Sequence, residues 1–206
     1  MDTDFSKLPA EDIIQKTINA LQANGISAEV VDTGEQAKEK ALALIPEGSE
    51  VFTKTSVTTK SIGLADEIDN SGKYKSVRNE LTHMDRVTQG KEMQKLGAAP
   101  DYLVGSVHAI TEEGHIYIAS NTGSQLSADV YGASHVVWVV GTQKIVSNHD
   151  SALKRIYDYV LPREADRLNK LYNTDRGSFV SKLLIINREI KPDRIKIIFV
   201  KEDLGF

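Results

Sequence analysis

The stretch HVVWVVG, residues 135–141, constrains this chain more than any other: consecutive apolar, mostly β-branched positions closed by a glycine predict a strand buried on both faces. Such a strand needs helices above and below its sheet, and the flanking sequence offers them. From Pro9, the expected first helical residue, to Asn24, a helical face is spaced by Ile13, Ile14, Thr17, Ile18 and Leu21, and Gly25 is the stop. ISAEVVD (26–32) predicts a strand. Glu35–Ile45 predicts a second helix with Ala37, Ala41, Leu42 and Ile45 inward, closed by Pro46 and Gly48. SEVFTK (49–54) is a short strand entering the hydroxyl-rich TSVTT (55–59), after which Ile62, Leu64, Ala65 and Ile68 predict a helix.

After a turn at NSGK (70–73), YKSVRNEL (74–81) is expected as a short strand, and the polar residues up to Ala98-Ala99-Pro100 as partly helical. From Asp101 the pattern becomes β-rich: DYLVGSVHAIT, a turn at Glu112-Glu113-Gly114, then HIYIAS and the loop NTGSQL. Leu126, Val130 and Tyr131 carry helical spacing before the 135–141 strand. Asp150 is the expected N-cap of an amphipathic stretch, 151–172, with Leu153, Ile156, Tyr157, Val160, Leu168 and Leu171 as its apolar face and Pro162 as a kink. KLLIINREI (182–190) and RIKIIFVKEDLGF (194–206), separated by Lys191-Pro192-Asp193, are expected to pair as strands. Together these segments predict an α/β fold with a mixed sheet flanked by helices. No repeat, low-complexity tract or linker divides residues 1–206, so one domain is expected.

The chain holds no cysteine, which excludes disulfides, thiolate zinc sites, iron–sulfur ligation and a thiol nucleophile. Its formal net charge of −4 supplies no basic field, so neither nucleic acid nor anionic lipid is the expected partner. MDTDFSKLPAEDIIQ is acidic where a signal peptide is basic, and Val136–Val140 is too short to span a bilayer; a cytoplasmic location, with no membrane insertion, is expected. GxGxxG and GxSxG are absent, and Gly72-Lys73 lacks the rest of a P-loop. The histidines at 83, 108, 115, 135 and 149 show no metal-ligand spacing, so no metal site is expected.

The ordered phrases PEGSEVFTKTSVT, SGKY, VGSVHAITEEG, ASNTGSQLSADVYGA, VVGTQKIV, LPREADR, SKLLIINRE and RIKIIFVKEDLGF resemble the lactate-utilization (LUD) domain family, from about Pro46 to Phe206. That family groups with the sugar-phosphate isomerases, CoA transferases and formyltetrahydrofolate cyclo-ligases of the NagB/RpiA/CoA transferase-like superfamily. The resemblance implies a three-layer α/β fold with a mainly parallel sheet, residues 1–45 being a helix–strand–helix extension of the same domain. It also implies a ligand beyond the carboxyl ends of the strands and a link to lactate oxidation alongside iron–sulfur proteins. NTDRGSFVSKLL stands where one branch of the family carries cysteines, which weakens any direct role in carrying electrons.

Several residues suit a site. Thr55, Ser56, Thr58 and Thr59 lie between a strand and a helix, where hydroxyls and free amides hold an anion or simply cap the helix; Lys54 adds charge or ends the strand. Asn121, Thr122, Gly123, Ser124 and Gln125 offer a second such turn. Gly141, Thr142, Gln143 and Lys144 follow the buried strand, where glycine permits close approach and lysine neutralises charge. His108 is either a general acid–base or a core histidine. The resemblance makes Glu112 or Glu113 a candidate nucleophilic carboxylate, against an ordinary acidic turn. It also sets Arg167 and Lys182 at positive positions of the family phrases, while Trp138 is expected in the core. The leading function is a LUD-type protein binding a small anionic metabolite or an iron–sulfur oxidoreductase; the alternatives are a CoA transferase-like or cyclo-ligase-like enzyme and a sugar-phosphate isomerase-like enzyme. Self-association stays open, and the sequence names no cofactor.

Overall fold

Amphipathic and continuously apolar segments alternate along the chain, and they fold as helices and strands in the same alternation. In the computed structural model, which describes residues 4–206, the first elements are α1 (Glu11–Ala23), β1 (Ser27–Val31), α2 (Gly34–Ala43), β2 (Glu50–Thr53), α3 (Val57–Ser61) and α4 (Leu64–Asn70). There follow β3 (Lys75–Ser76), α5 (Val77–His83), α6 (Gly90–Ala98), β4 (Tyr102–Gly105), β5 (Ala109–Thr111) and β6 (Ile116–Ser120). A π-helical turn at Ala128–Gly132 precedes β7 (His135–Gly141), and a 3₁₀ turn at Thr142–Lys144 leads to β8 (Ile145–Val146). Then α7 (His149–Lys154) runs through a π-helical segment, Arg155–Val160, into α8 (Leu161–Tyr172), before β9 (Lys182–Ile186) and β10 (Ile195–Val200).

Six strands form an all-parallel sheet in the order β1-β10-β7-β4-β2-β3, while β8-β5-β6-β9 form a second, smaller sheet containing the antiparallel pairs. Side chains alternate between faces of a strand. In β7, Val136, Trp138 and Val140 enter a core shared with α1, α5 and the small sheet, whereas Val137 and Val139 enter one shared with α2 and α4. The helix–sheet–helix layering expected of the α/β fold is therefore present. A third cluster, with Tyr117, Ala152 and Ile156, packs α7 and its continuation onto the outer face of the small sheet.

Some local expectations are corrected. Residues 74–81 are strand only at Lys75–Ser76; Ser76 Oγ accepts the Asn79 N–H at 3.1 Å, and that cap turns the rest into α5. Asn148, not Asp150, caps α7, its Oδ1 accepting the Ser151 N–H at 3.0 Å. Pro162 does not interrupt the long helix: it follows the π-helical segment 155–160 and stands in the first turn of α8, where a missing backbone N–H is tolerated. The π-helical turn at 128–132 rotates the expected helical face, burying Ala128 and Asp129 and exposing Val130 and Tyr131. β9 and β10 do not pair; β9 joins β6, and β10 lies between β1 and β7.

The strand order fixes where a ligand fits. From β2 the chain moves outward to β3, whereas from β4 it moves the other way to β7, so connections diverge above the adjacent carboxyl ends of β2 and β4. Divergent connections leave a crevice there.

Candidate functional site

The residues directly beyond β2 and β4 form the floor of that crevice. A Cβ on Gly105 would lie 2.7 Å from Lys54 Cβ, so the missing side chain at the end of β4 lets the Lys54 stem pass. Lys54 Nζ reaches both carboxylate oxygens of Asp129 at 2.9 Å and lies 5.9 Å from the centroid of the buried Trp138 ring. Burial pushes the Asp129 carboxyl above the usual range, and Lys54 opposes that shift.

Lys144 closes the 3₁₀ turn after β7 and is 2% exposed. Its Nζ donates to neutral oxygens: Thr58 Oγ1 at 2.9 Å, Ser106 Oγ at 3.2 Å and the Val107 carbonyl at 3.2 Å. Burial, followed by the charges of Arg155 and Lys54, holds its pKa well below the ordinary lysine value, with Asp203 pulling the other way. Thr58 Oγ1 in turn donates to the Leu204 carbonyl at 2.9 Å. Gly205, at φ 64°, permits that crossing, since a Cβ there would lie 2.6 Å from Thr58 Oγ1.

His108, half-buried, accepts the Ala119 N–H on Nδ1 at 3.1 Å, which leaves the proton of a neutral ring on Nε2. Burial together with Lys144, Lys54 and Arg155 pushes its pKa down to about 3. Arg155, buried beneath it, donates Nη1 to the His108 carbonyl at 2.6 Å and sits 5.1 Å from the Tyr159 ring centroid. Its Nε and Nη2 have no partner among the described residues, and burial lowers its pKa to about 10.

Lys54, Asp129, Lys144, Thr58, Ser106 and His108 line a cleft of about 650 Å³, and Arg155 lies behind that lining. Thr55, Ser56 and Thr58 are in its lining, although the Ser56 hydroxyl already caps α3 through the Thr59 N–H at 3.3 Å. Asn121, Thr122, Ser124 and Gln125 form a second wall, so the structure brings the 55–59 and 121–125 turns together. The third wall is α8, where Arg167 is engaged by Glu164 through two 2.7 Å hydrogen bonds. Gly123 and Gly141 stand outside the lining: a Cβ on Gly123 would meet Lys182 Cδ at 2.6 Å, and one on Gly141 would meet the Glu202 carbonyl oxygen at 2.8 Å.

Glu112 and Glu113 are also outside it. Glu112 pairs with Lys16 of α1 at 2.8 Å, and the Glu113 carbonyl accepts from Asn24 Nδ2 at 2.9 Å, so their turn packs against α1 rather than over the cleft. Asp129, Arg155 and Arg78 are absent from the sequence-derived set. Arg78 lines the cleft and donates Nε to Thr53 Oγ1 at 2.9 Å. Helical spacing turned Asp129 outward, and nothing local to Arg155 marks it as enclosed. Among the described residues, no group of three or more His, Asp or Glu side chains is placed to hold a metal, and no helix is long and apolar enough to cross a membrane.

Comparisons bear on the whole arrangement. The LUD domain model matches residues 14–200. The crystal structure of a DUF162 family protein from Deinococcus radiodurans is similar in fold, with a TM-score of 0.57 at 12% identity over 94% of this chain and 99% of that one. eIF2B beta from Chaetomium thermophilum matches at a TM-score of 0.38 and 13% identity, over 57% of this chain and 44% of that one. No curated protein matches the sequence. With the family model covering the sheet, its flanking helices and the cleft between them, the chain belongs to the LUD domain family.

Proposed function

We propose that this protein binds a small anionic metabolite in the cleft beyond β2 and β4, and that it serves lactate or related organic-acid metabolism in the cytoplasm. The observation that carries the reading is Lys144: an enclosed amine lining the cleft, held by neutral oxygens with no carboxylate among its partners, whereas neighbouring Lys54 is already paired with Asp129. Such a floor lacks enough negative charge of its own, and an incoming carboxylate or phosphate supplies it. Family membership supports the metabolic setting, and docking to an iron–sulfur oxidoreductase is its other form. We read residues 1–206 as one LUD-type unit, with 1–45 its extension, because β1 completes the edge of the main sheet.

Thermal unfolding against a panel of carboxylates and phosphorylated metabolites tests the reading. A true ligand at one hundred times its Kd stabilises by about 2.7 kcal/mol, a shift of roughly 5–10 °C for a chain of this size. Lys144→Met is expected to lose that shift. If no anion raises the midpoint and no redox protein copurifies, the proposal is abandoned.

A further inference from the structure

The cleft is larger than its charged floor requires, and its outer wall has a different chemistry. α8 buries none of its residues fully, yet Leu161, Leu168 and Leu171 line the cleft, Leu171 at 61% exposure. Phe179, 64% exposed, also lines it. Large apolar side chains left this open at a cavity rim point to something that covers them. The Glu164–Arg167 pair on the same wall is internally neutralised, so the wall contributes apolar surface rather than net charge. A volume of about 650 Å³ falls within the roughly 300–1,000 Å³ of sites that enclose drug-sized molecules. The polar floor, with Lys144 and Ser106, serves a head of only a few atoms.

We propose that the ligand is an anion with a sizeable apolar tail, its head toward Lys144 and its tail laid between Leu168, Leu171 and Phe179. This rests on the anion-binding reading above and adds the ligand's second half. The division of the cleft into cationic floor and apolar wall matches the two ends of such a molecule. A three-carbon acid would leave the wall in water.

Calorimetric titration of the full chain with straight-chain monocarboxylates from acetate to octanoate, and with 1-octanol as the neutral counterpart, tests this. Affinity is expected to rise roughly fourfold per methylene as the tail is buried, then level off once it has crossed the wall. Octanol is expected to bind at least tenfold more weakly than octanoate. Leu171→Ser alters an exposed side chain and so spares the fold; it is expected to weaken octanoate several-fold and leave acetate unchanged. Acids that bind without any dependence on length overturn the inference and leave the anion reading standing. Octanol binding as tightly as octanoate overturns both. A length dependence untouched by Leu171→Ser and Phe179→Ser places the tail elsewhere and also overturns the inference. If none of these acids binds, the inference falls, and the anion reading is decided by the wider panel of carboxylates and phosphorylated metabolites.

Discussion

Burial, followed by the nearby Lys144, Lys54 and Arg155 side chains, disfavours the protonated form of the His108 ring. Unfolded, an imidazole takes up its proton near pH 6.5; folded, this one resists until about 3. The unfolded state therefore gains protons first, and stability is lost as pH falls from 6.5 toward 3, at about 1.4 kcal/mol per pH unit over that window. His108→Gln lacks this loss, so urea denaturation at pH 7, 5.5 and 4.5 is expected to show the variant gaining steadily on the parent protein. A constant difference between the two would mean that the ring titrates normally. The sequence placed His108, Thr58 and Lys144 in three separate phrases and gave each a site role. It could not show that Lys144 Nζ touches Thr58 Oγ1, because that contact spans β7, α3 and the turn after each. The family resemblance marked Glu112 and Glu113 but could not show what faces them: Lys16 of α1 pairs with Glu112, and Asn24 donates to the Glu113 carbonyl.

Elements were most legible where period and punctuation agreed: α1, α2 and β7 lie close to their expected spans, whereas β10 starts where expected but ends at Val200, six residues before the expected end. The misplaced ones failed for physical reasons. At 148–150 two good caps compete, and Asn148 wins because its extended backbone aims Oδ1 at the Ser151 amide. Asn148→Ala is expected to cost about 1 kcal/mol by denaturant midpoint, and Asp150→Ala less than half of that. Equal losses would return the cap to Asp150. The π-helical turns were invisible to a 3.6-residue template, yet the one at 128–132 brings Asp129 to Lys54 and the one at 155–160 brings Arg155 beneath His108. The segments 182–190 and 194–206 share β-branched composition and flank Lys191-Pro192-Asp193, which read as a strand pair; β9 ends at Ile186, and Ile185 and Lys196 belong to different sheets.

At the scale of the molecule, the alternation of helix and strand was enough to give an α/β fold, but strand order was not written locally. β1 aligns Ser27 with Lys196 and Val31 with Val200, pairings with no nearby sequence signal. A chain beginning at Pro46 would expose the outer edge of β10 and remove Ile14, Ile18 and Leu21 from the core. It is expected to lose cooperative urea unfolding and to aggregate, as circular dichroism and size-exclusion chromatography would show; a stable, cooperative product would make the N-terminal elements dispensable. The same pairing governs the order of assembly during synthesis. At about 5–20 residues per second, the ribosome makes β10 roughly ten to thirty seconds after β1. For that interval the nascent helix–strand–helix has no sheet to join, and its sticky face is exposed to chaperones and to neighbouring nascent chains. Slower translation of the second half would lengthen that wait, so codon choice late in the message would affect the yield of folded protein.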